Sequence, residues 1–163
     1  MTEDIVRTLG FLCLGTRLKR IGERLQTDTQ KIMEEMEVGI APGQYPILAA
    51  LDRLGPLTVG ELAEALGVTQ PGVTRNISQL AKLGLLTAGR TPHDQRRRIV
   101  RLSGKGRGMV ETAKNSVWLR IETAVRDVCG DLDGPLLDQL AAMEDRLAEV
   151  PLQRRNGNRE EEK

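Results

Sequence analysis

The sequence predicts a mainly α-helical protein carrying one small β-hairpin, and three observations carry that expectation. Apolar residues recur at three- and four-residue spacings over most of the chain, as on a helix with one buried face. Aromatics are scarce, Phe11, Tyr45 and Trp118 being the full set. A core of Leu, Ile, Val, Ala and Met suits packed helices better than a β-sandwich. Only residues 85–102 read as two short extended segments joined by a polar turn. With 163 residues, 39% of them hydrophobic and 29% charged, the chain suits a single soluble domain, 1–163, with a real core.

Each element follows from local chemistry. Ile5, Leu9, Leu12, Thr16, Ile21, Leu25, Ile32, Met33 and Met36 predict one long helix over 4–37, which VGIAPG at 38–43 ends. A helix over 44–54 carries Ile47, Leu48 and Leu51 and stops at Gly55-Pro56. Thr58 and Glu61 form a capping box that opens a short helix, which closes at Gly67. Thr69 or Gln70 caps the next helix, with Pro71 in its first turn, where the missing amide costs little. It runs to about Leu83, with Val73, Ile77 and Leu80 inward and Pro71, Arg75, Ser78 and Lys82 opposite.

Strands are expected at 85–90 and 97–102 around the turn TPHDQR. Ser103 caps a long helix to about Val128, striped by Met109, Val110, Ala113, Val117, Ile121, Ala124 and Val128. Gly130–Pro135 interrupts, and a last helix over 133–149 sets Leu136, Leu140, Met143 and Leu147 in a heptad-like seam. Residues 152–163 read as a polar tail, expected to be disordered.

Charge is segregated. The chain has a formal net charge of +1, yet residues 66–107 hold nine Lys or Arg against Asp94 alone. A basic middle between acidic flanks suggests a polyanion-binding element on a more acidic scaffold. Two cysteines, Cys13 and Cys129, give neither a disulfide framework nor metal-ligand spacing. His93 stands alone and reads as a polar turn residue rather than a general base. GKGRG at 104–108 resembles a phosphate loop but fits neither the dinucleotide fingerprint nor Walker A, and reads as a capped helix start. The apolar run at 9–15 is too short to span a bilayer and follows Glu3 and Asp4. A cytoplasmic protein without cofactor, metal or membrane contact is expected.

A short helix, a tight turn, a second helix and a hairpin form the layout of a winged helix-turn-helix. Ala63 supplies the small residue two steeply crossing helices need, and Gly67 suits the turn. LTVGELAEALGVTQPGVTRNISQLAKLGLL followed by DQRRRIVRLSGKGR resembles the multiple-antibiotic-resistance regulator (MarR) family of winged-helix transcription factors. The sharpest part is Asp94, Arg96, Leu102, Ser103 and Gly106, matching D-x-R in the wing followed by L-[ST]-x-x-G.

That resemblance implies a homodimeric, sequence-specific regulator of double-stranded DNA, most often a repressor in this family. Helix 70–83 would be the recognition helix, Thr69 opening it and Gln70, Gly72, Thr74, Arg75 and Ser78 facing bases or phosphates. Arg75 is the choice for a guanine edge, since its fork can bond O6 and N7 together. Asp94 would hold Arg96 for the minor groove, while Arg97 and Arg98 would meet phosphates. Family members often carry a bulkier side chain at the position of Gly72. Helices 4–37, the second half of 103–128 and 133–149 would form the dimer. A two-fold dimer sets its recognition helices about 10 bp apart and selects a pseudo-palindrome.

Many family members bind small aromatic acids between dimer helices and DNA-binding part, so a small-molecule effector is a further implied partner. Trp118 could line such a pocket, although packing is the simpler reading. Some members sense hydroperoxides through a cysteine early in the first helix, which Cys13 could match, although nothing nearby activates it. A protein–protein interaction module, its arginines meeting an acidic partner, is the alternative of another class. The sequence also resembles the first half of regulators fused to an acetyltransferase; a chain ending at Lys163 is too short to hold that domain, and no enzymatic activity is expected.

Overall fold

The computed structural model describes the backbone of residues 2–91, 94–130 and 132–155, the side chains of 90–97 and 153 lying outside the description. Two compact units result, Met1–Thr123 and Ala124–Lys163.

The predicted single helix over 4–37 is broken. Helix α1 (Ile5–Thr8) ends in a 3-10 turn, Gly10–Cys13, before α2 (Leu14–Glu35) begins. Gly10 has φ +52°, a left-handed conformation that no continuous helix contains and that glycine adopts without strain. Asp4 caps α1 by accepting from the Arg7 amide at 3.3 Å, and its carboxylate also receives Arg20 Nη1 at 3.0 Å. The Arg20 hydrogen bond lowers the Asp4 pKa against the opposing pull of burial.

Beyond α2, helices α3 (Tyr45–Leu54), α4 (Val59–Leu66) and α5 (Gln70–Lys82) lie close to their expected bounds. A two-residue strand, β1 (Leu57–Thr58), was not anticipated. It pairs antiparallel with β3 (Asp94–Leu102), which also pairs with β2 (Leu86–Thr91), giving the order β1-β3-β2. Both hairpin strands run further toward the turn than expected. Leu86 faces Leu102 and Arg90 faces Arg98, and the register then shifts, so that Thr91 faces Asp94.

The expected helix 103–128 is two helices, α6 (Gly104–Lys114) and α7 (Val117–Cys129). Neither glycine nor proline parts them. Asn115 Nδ2 donates to the Glu111 carbonyl at 3.0 Å, and the Ser116 hydroxyl to that of Thr112 at 2.7 Å. Side chains that reach back to backbone carbonyls compete with the helical ladder. The predicted stripe still holds at its centre, where Val110, Ala113, Val117 and Ile121 are buried, whereas Val128 is exposed.

The core of the first unit is aliphatic, as composition requires. Met33, Leu62, Leu80 and Val100 are wholly buried, with Ile47, Leu48, Val73 and Val110 at 1% exposure. Each such side chain contributes about 1.5–3 kcal/mol of apolar burial. Trp118 packs on Tyr45 with ring centroids 6.2 Å apart and planes tilted by 49°, which satisfies the packing reading of this residue. Lys114 Nζ lies 2.6 Å from Asp52 Oδ2, joining α6 to α3, and this hydrogen bond raises the Lys114 pKa.

In the second unit, α8 (Leu136–Glu149) starts three residues later than the expected 133, with Pro135 as its cap. No residue of α8 is buried: Leu136, Leu140 and Met143 are half-buried, and Leu147 is exposed. The start of the expected polar tail is ordered instead as a 3-10 turn, Leu152–Arg154, with Arg155 donating to the carbonyls of Val150 and Arg146. Among the described residues no helix is long and apolar enough to cross a membrane.

Candidate nucleic-acid interface

Helices α4 and α5 with the β2–β3 hairpin form the candidate interface, and local signals place each part. Thr58 Oγ1 accepts from the Glu61 amide at 3.2 Å while Glu61 Oε2 accepts from the Thr58 amide at 2.7 Å, the reciprocal capping box the sequence predicts. Such a cap is worth about 1 kcal/mol. Gly67, at φ +62°, ends α4, and the Gly67 and Val68 amides donate to the carbonyls of Glu64 and Ala63. Ala63 is buried, as the small residue at a close helix crossing should be.

Helix α5 presents two faces. Val73, Ile77 and Leu80 are buried, whereas Gln70, Pro71, Thr74, Arg75, Ser78 and Lys82 are exposed. Thr69 occupies the N-cap in an extended conformation but makes no side-chain cap bond, which leaves its hydroxyl available. The Thr74 and Ser78 hydroxyls donate to the carbonyls of Gln70 and Thr74, each at 2.9 Å, so toward an outside group both act as acceptors. A Cβ on Gly72 would stand 3.3 Å from Thr69 Oγ1, and one on Gly60 would stand 3.5 Å from Gln70 Nε2. Glycine at 72 therefore relieves a tight approach to Thr69, whereas a side chain at 60 would meet Gln70 at ordinary contact distance.

The wing is placed in part. Asp94, Arg96 and Arg97 belong to β3 by backbone, but their side chains, and His93 altogether, lie outside the described residues, as does the expected Asp94–Arg96 ion pair. Arg98 and Arg101 are exposed.

Two basic residues of the charged segment point elsewhere. Lys105 Nζ donates to the Leu83 carbonyl at 2.8 Å, and Arg107 Nη1 to that of Leu102 at 3.1 Å. With the Ser103 hydroxyl bonding the Gly84 carbonyl at 2.6 Å, they fasten the end of α5 and the base of the wing to α6. Ser103 also accepts from the Gly106 amide at 2.9 Å, confirming it as the cap. A Cβ on Gly106 would collide with the Leu85 carbonyl oxygen, so only glycine fits there. Of the GKGRG glycines, Gly106 thus serves helix packing, while Gly104 and Gly108 face open space.

Sequence reasoning missed two features here. Lys82 shares the exposed face of α5 with Arg75 and was noted for its position but not assigned to the interface. Gln44 is buried at 5% exposure and donates through Nε2 to Gln79 Oε1 at 2.6 Å, a link across 35 residues that no local pattern announces. The cysteines are free thiols, both half-buried, Cys13 following the exposed Phe11 and Leu12.

Comparison with known proteins fits this arrangement. A model of the MarR family matches residues 38–97, which span α3, α4, α5 and most of the hairpin. The HTH-type transcriptional regulator FarR of Neisseria gonorrhoeae is 30% identical over 129 residues, covering 77% of this chain and 86% of its own. The chain belongs to the MarR family. An HTH-type regulator of Bacillus subtilis, YdgJ, is 25% identical over 69% of this chain and 68% of its own length. Among solved structures, the transcriptional repressor CouR bound to a 23-mer DNA duplex superposes with a TM-score of 0.63 at 29% identity, over 84% of this chain and 91% of that one. The regulator BldR of Sulfolobus solfataricus, at 20% identity and TM-score 0.68, shares the fold over 91% of this chain and all of its own. As a MarR-family member the protein is a DNA-binding transcriptional regulator, not an enzyme.

Proposed function

We propose that the protein binds a pseudo-palindromic operator as a homodimer and represses transcription until a small molecule releases it. The observation that carries the reading is the exposed polar face of α5, with Arg75 at its centre, standing on a buried Val73–Ile77–Leu80 face. A rigid helix with one free polar face fits the major groove, whose width admits one helix. Thr69, Gln70, Gly72, Thr74 and Ser78 flank Arg75 in this role. Arg96, oriented by Asp94, enters the minor groove, and Arg97 and Arg98 meet phosphates.

Dimerisation has its own support. Phe11 is 93% exposed and Leu12 82%, with Ile5, Leu9, Ile21 and Leu25 also exposed; in the second unit Leu137 is 77% exposed. Apolar surface of this extent marks an interaction site. For the effector, an open cleft of about 530 Å³ lies between the end of α2, the following loop and α5, lined by Gln30, Ile40, Gln44, Gln79, Lys82 and Leu83. Its single ammonium and three amides suit a small organic acid.

Selection from random duplexes tests the reading. The expected product is an inverted repeat with half-sites about 10 bp apart, bound with an affinity that falls steeply with salt. Equal binding to every sequence, or none at low salt, overturns it. Arg96→Ala should weaken operator binding while leaving the dimer intact by sedimentation; unchanged affinity would remove Arg96 from the interface.

A further inference from the structure

We infer that Gln44 and Gln79 form a positioning bridge that fixes the roll of the recognition helix α5 about its own axis, and so sets operator specificity without touching DNA. The inference rests on the DNA-binding role proposed above for α5.

Three apolar side chains, Val73, Ile77 and Leu80, hold α5 against the core. Such close-packed contacts fix its depth and limit its roll, but they are non-directional, so a hydrogen bond adds an angular restraint they lack. Lys105 and Ser103 tie only the carbonyls after its last turn, and the directional restraint on a side chain of the helix itself comes from Gln44. Its Oε1 accepts from the Ala41 amide at 2.9 Å, its own carbonyl accepts from the Ile47 and Leu48 amides, and its Nε2 donates to Gln79 Oε1 at 2.6 Å. The donor is therefore itself tied at both ends of the residue, and Ile40 beside it is buried. A buried amide with both its polar atoms satisfied specifies one geometry.

Gln79 lies one turn beyond Arg75, about 40° around the axis at 100° per residue. Holding Gln79 therefore holds Arg75. With side-chain tips about 5–6 Å from the axis, a roll of about 20° moves them about 2 Å, enough to break a two-pronged bond to a base edge. The bridge also forms part of the wall of the cleft described above, so an occupant that drew either amide away would alter the roll of α5.

Gln79→Met tests this with little risk to the fold, because Gln79 is exposed. It is measured against the duplex that the parent protein selects and a random duplex of equal length. The expected result is a loss of about three- to tenfold in preference for the selected duplex, as the loss of one restraining hydrogen bond implies. Affinity for random DNA and its salt dependence should stay as in the parent. Gln79→Glu keeps the acceptor, so the preference should survive even where its charge lowers both affinities. Combining Gln44→Ala with Gln79→Met should be no worse than the more damaging single change.

An unchanged preference in Gln79→Met overturns the inference. So does an equal loss on both duplexes with a shallower salt dependence, which would place Gln79 directly on a phosphate. If Gln44→Ala unfolds, Gln79→Met alone decides. The bridge is also read without DNA, as slow exchange of the Gln44 side-chain amide protons that Gln79→Met abolishes; absence of that protection overturns the inference even if the protein selects no duplex. A parent that selects no duplex but shows the protection instead overturns the DNA-binding reading, and the specificity role with it.

Discussion

The helix-turn-helix with its wing and the amino-terminal arm use the same aliphatic residues to opposite ends. In the former, Leu62, Leu80 and Val100 have no exposed surface, and polar groups are closed by caps such as Thr58–Glu61 and Ser103–Gly106. Along α1, the 3-10 turn and the first half of α2, Phe11, Leu12, Ile5 and Leu9 stand largely in the open. The first region is complete within one chain. The second has spent its hydrophobic pattern on a surface that one chain leaves uncovered.

Substitutions can break that contrast, and the largest effect should come from the closed region. Gly106→Ala forces a methyl group into the Leu85 carbonyl, a backbone group that cannot rotate aside, and should cost more than about 3 kcal/mol in thermal or urea unfolding. A variant that melts with the parent would mean that α6 can shift away from the wing base. Next, Leu12→Asp should turn the dimer into a monomer by sedimentation and weaken operator binding by about a hundredfold or more, because two half-sites no longer act together. Its helical circular dichroism should stay close to that of the parent; a collapse of helicity would show that the arm is part of the monomer's core after all.

Arg75→Ala sharpens the contrast from the surface side. It should lower operator affinity by about 1–3 kcal/mol and relax selection at one base position, with no change in the unfolding midpoint. A uniform loss across sequences would reassign Arg75 to a phosphate. The smallest effect belongs to Asp4. Because Arg20 holds its folded-state pKa below the ordinary carboxylate value, the stabilisation is present above that ordinary value and is lost as pH falls through the lowered one. Asp4→Asn should therefore flatten the acid limb slightly in amide exchange of α1 and leave α5 unaffected. Both side chains are well exposed, so screening keeps the effect small.

What could be read in the sequence follows the range of each interaction. The faces of α5, the Thr58 capping box and the Ser103 cap arise within four residues of chain, and all three were legible. The break at Asn115–Ser116 was not, since it depends on side chains turning back to carbonyls in a segment with neither glycine nor proline. Gly10 was visible but sat within an unbroken apolar spacing, which gave no sign of its positive φ. Strand β1 is too short for any periodicity, and its identity comes only from pairing with β3. At the candidate site, the exposed polar face of α5 was legible, whereas the Gln44–Gln79 contact required the folded chain.

The carbonyl contacts of Lys105 and Arg107 bear on what DNA binding would release. A duplex sheds condensed counterions in proportion to the phosphates a protein neutralises. The basic segment holds nine cationic side chains, and these two are exposed yet each donates to a peptide carbonyl at the foot of the wing. A carbonyl bond leaves the cation's charge in place, so the counterions these two release depend on whether a phosphate reaches the foot of the wing. The same two cations also serve as internal mortar, holding α5 and the wing to the helix that follows.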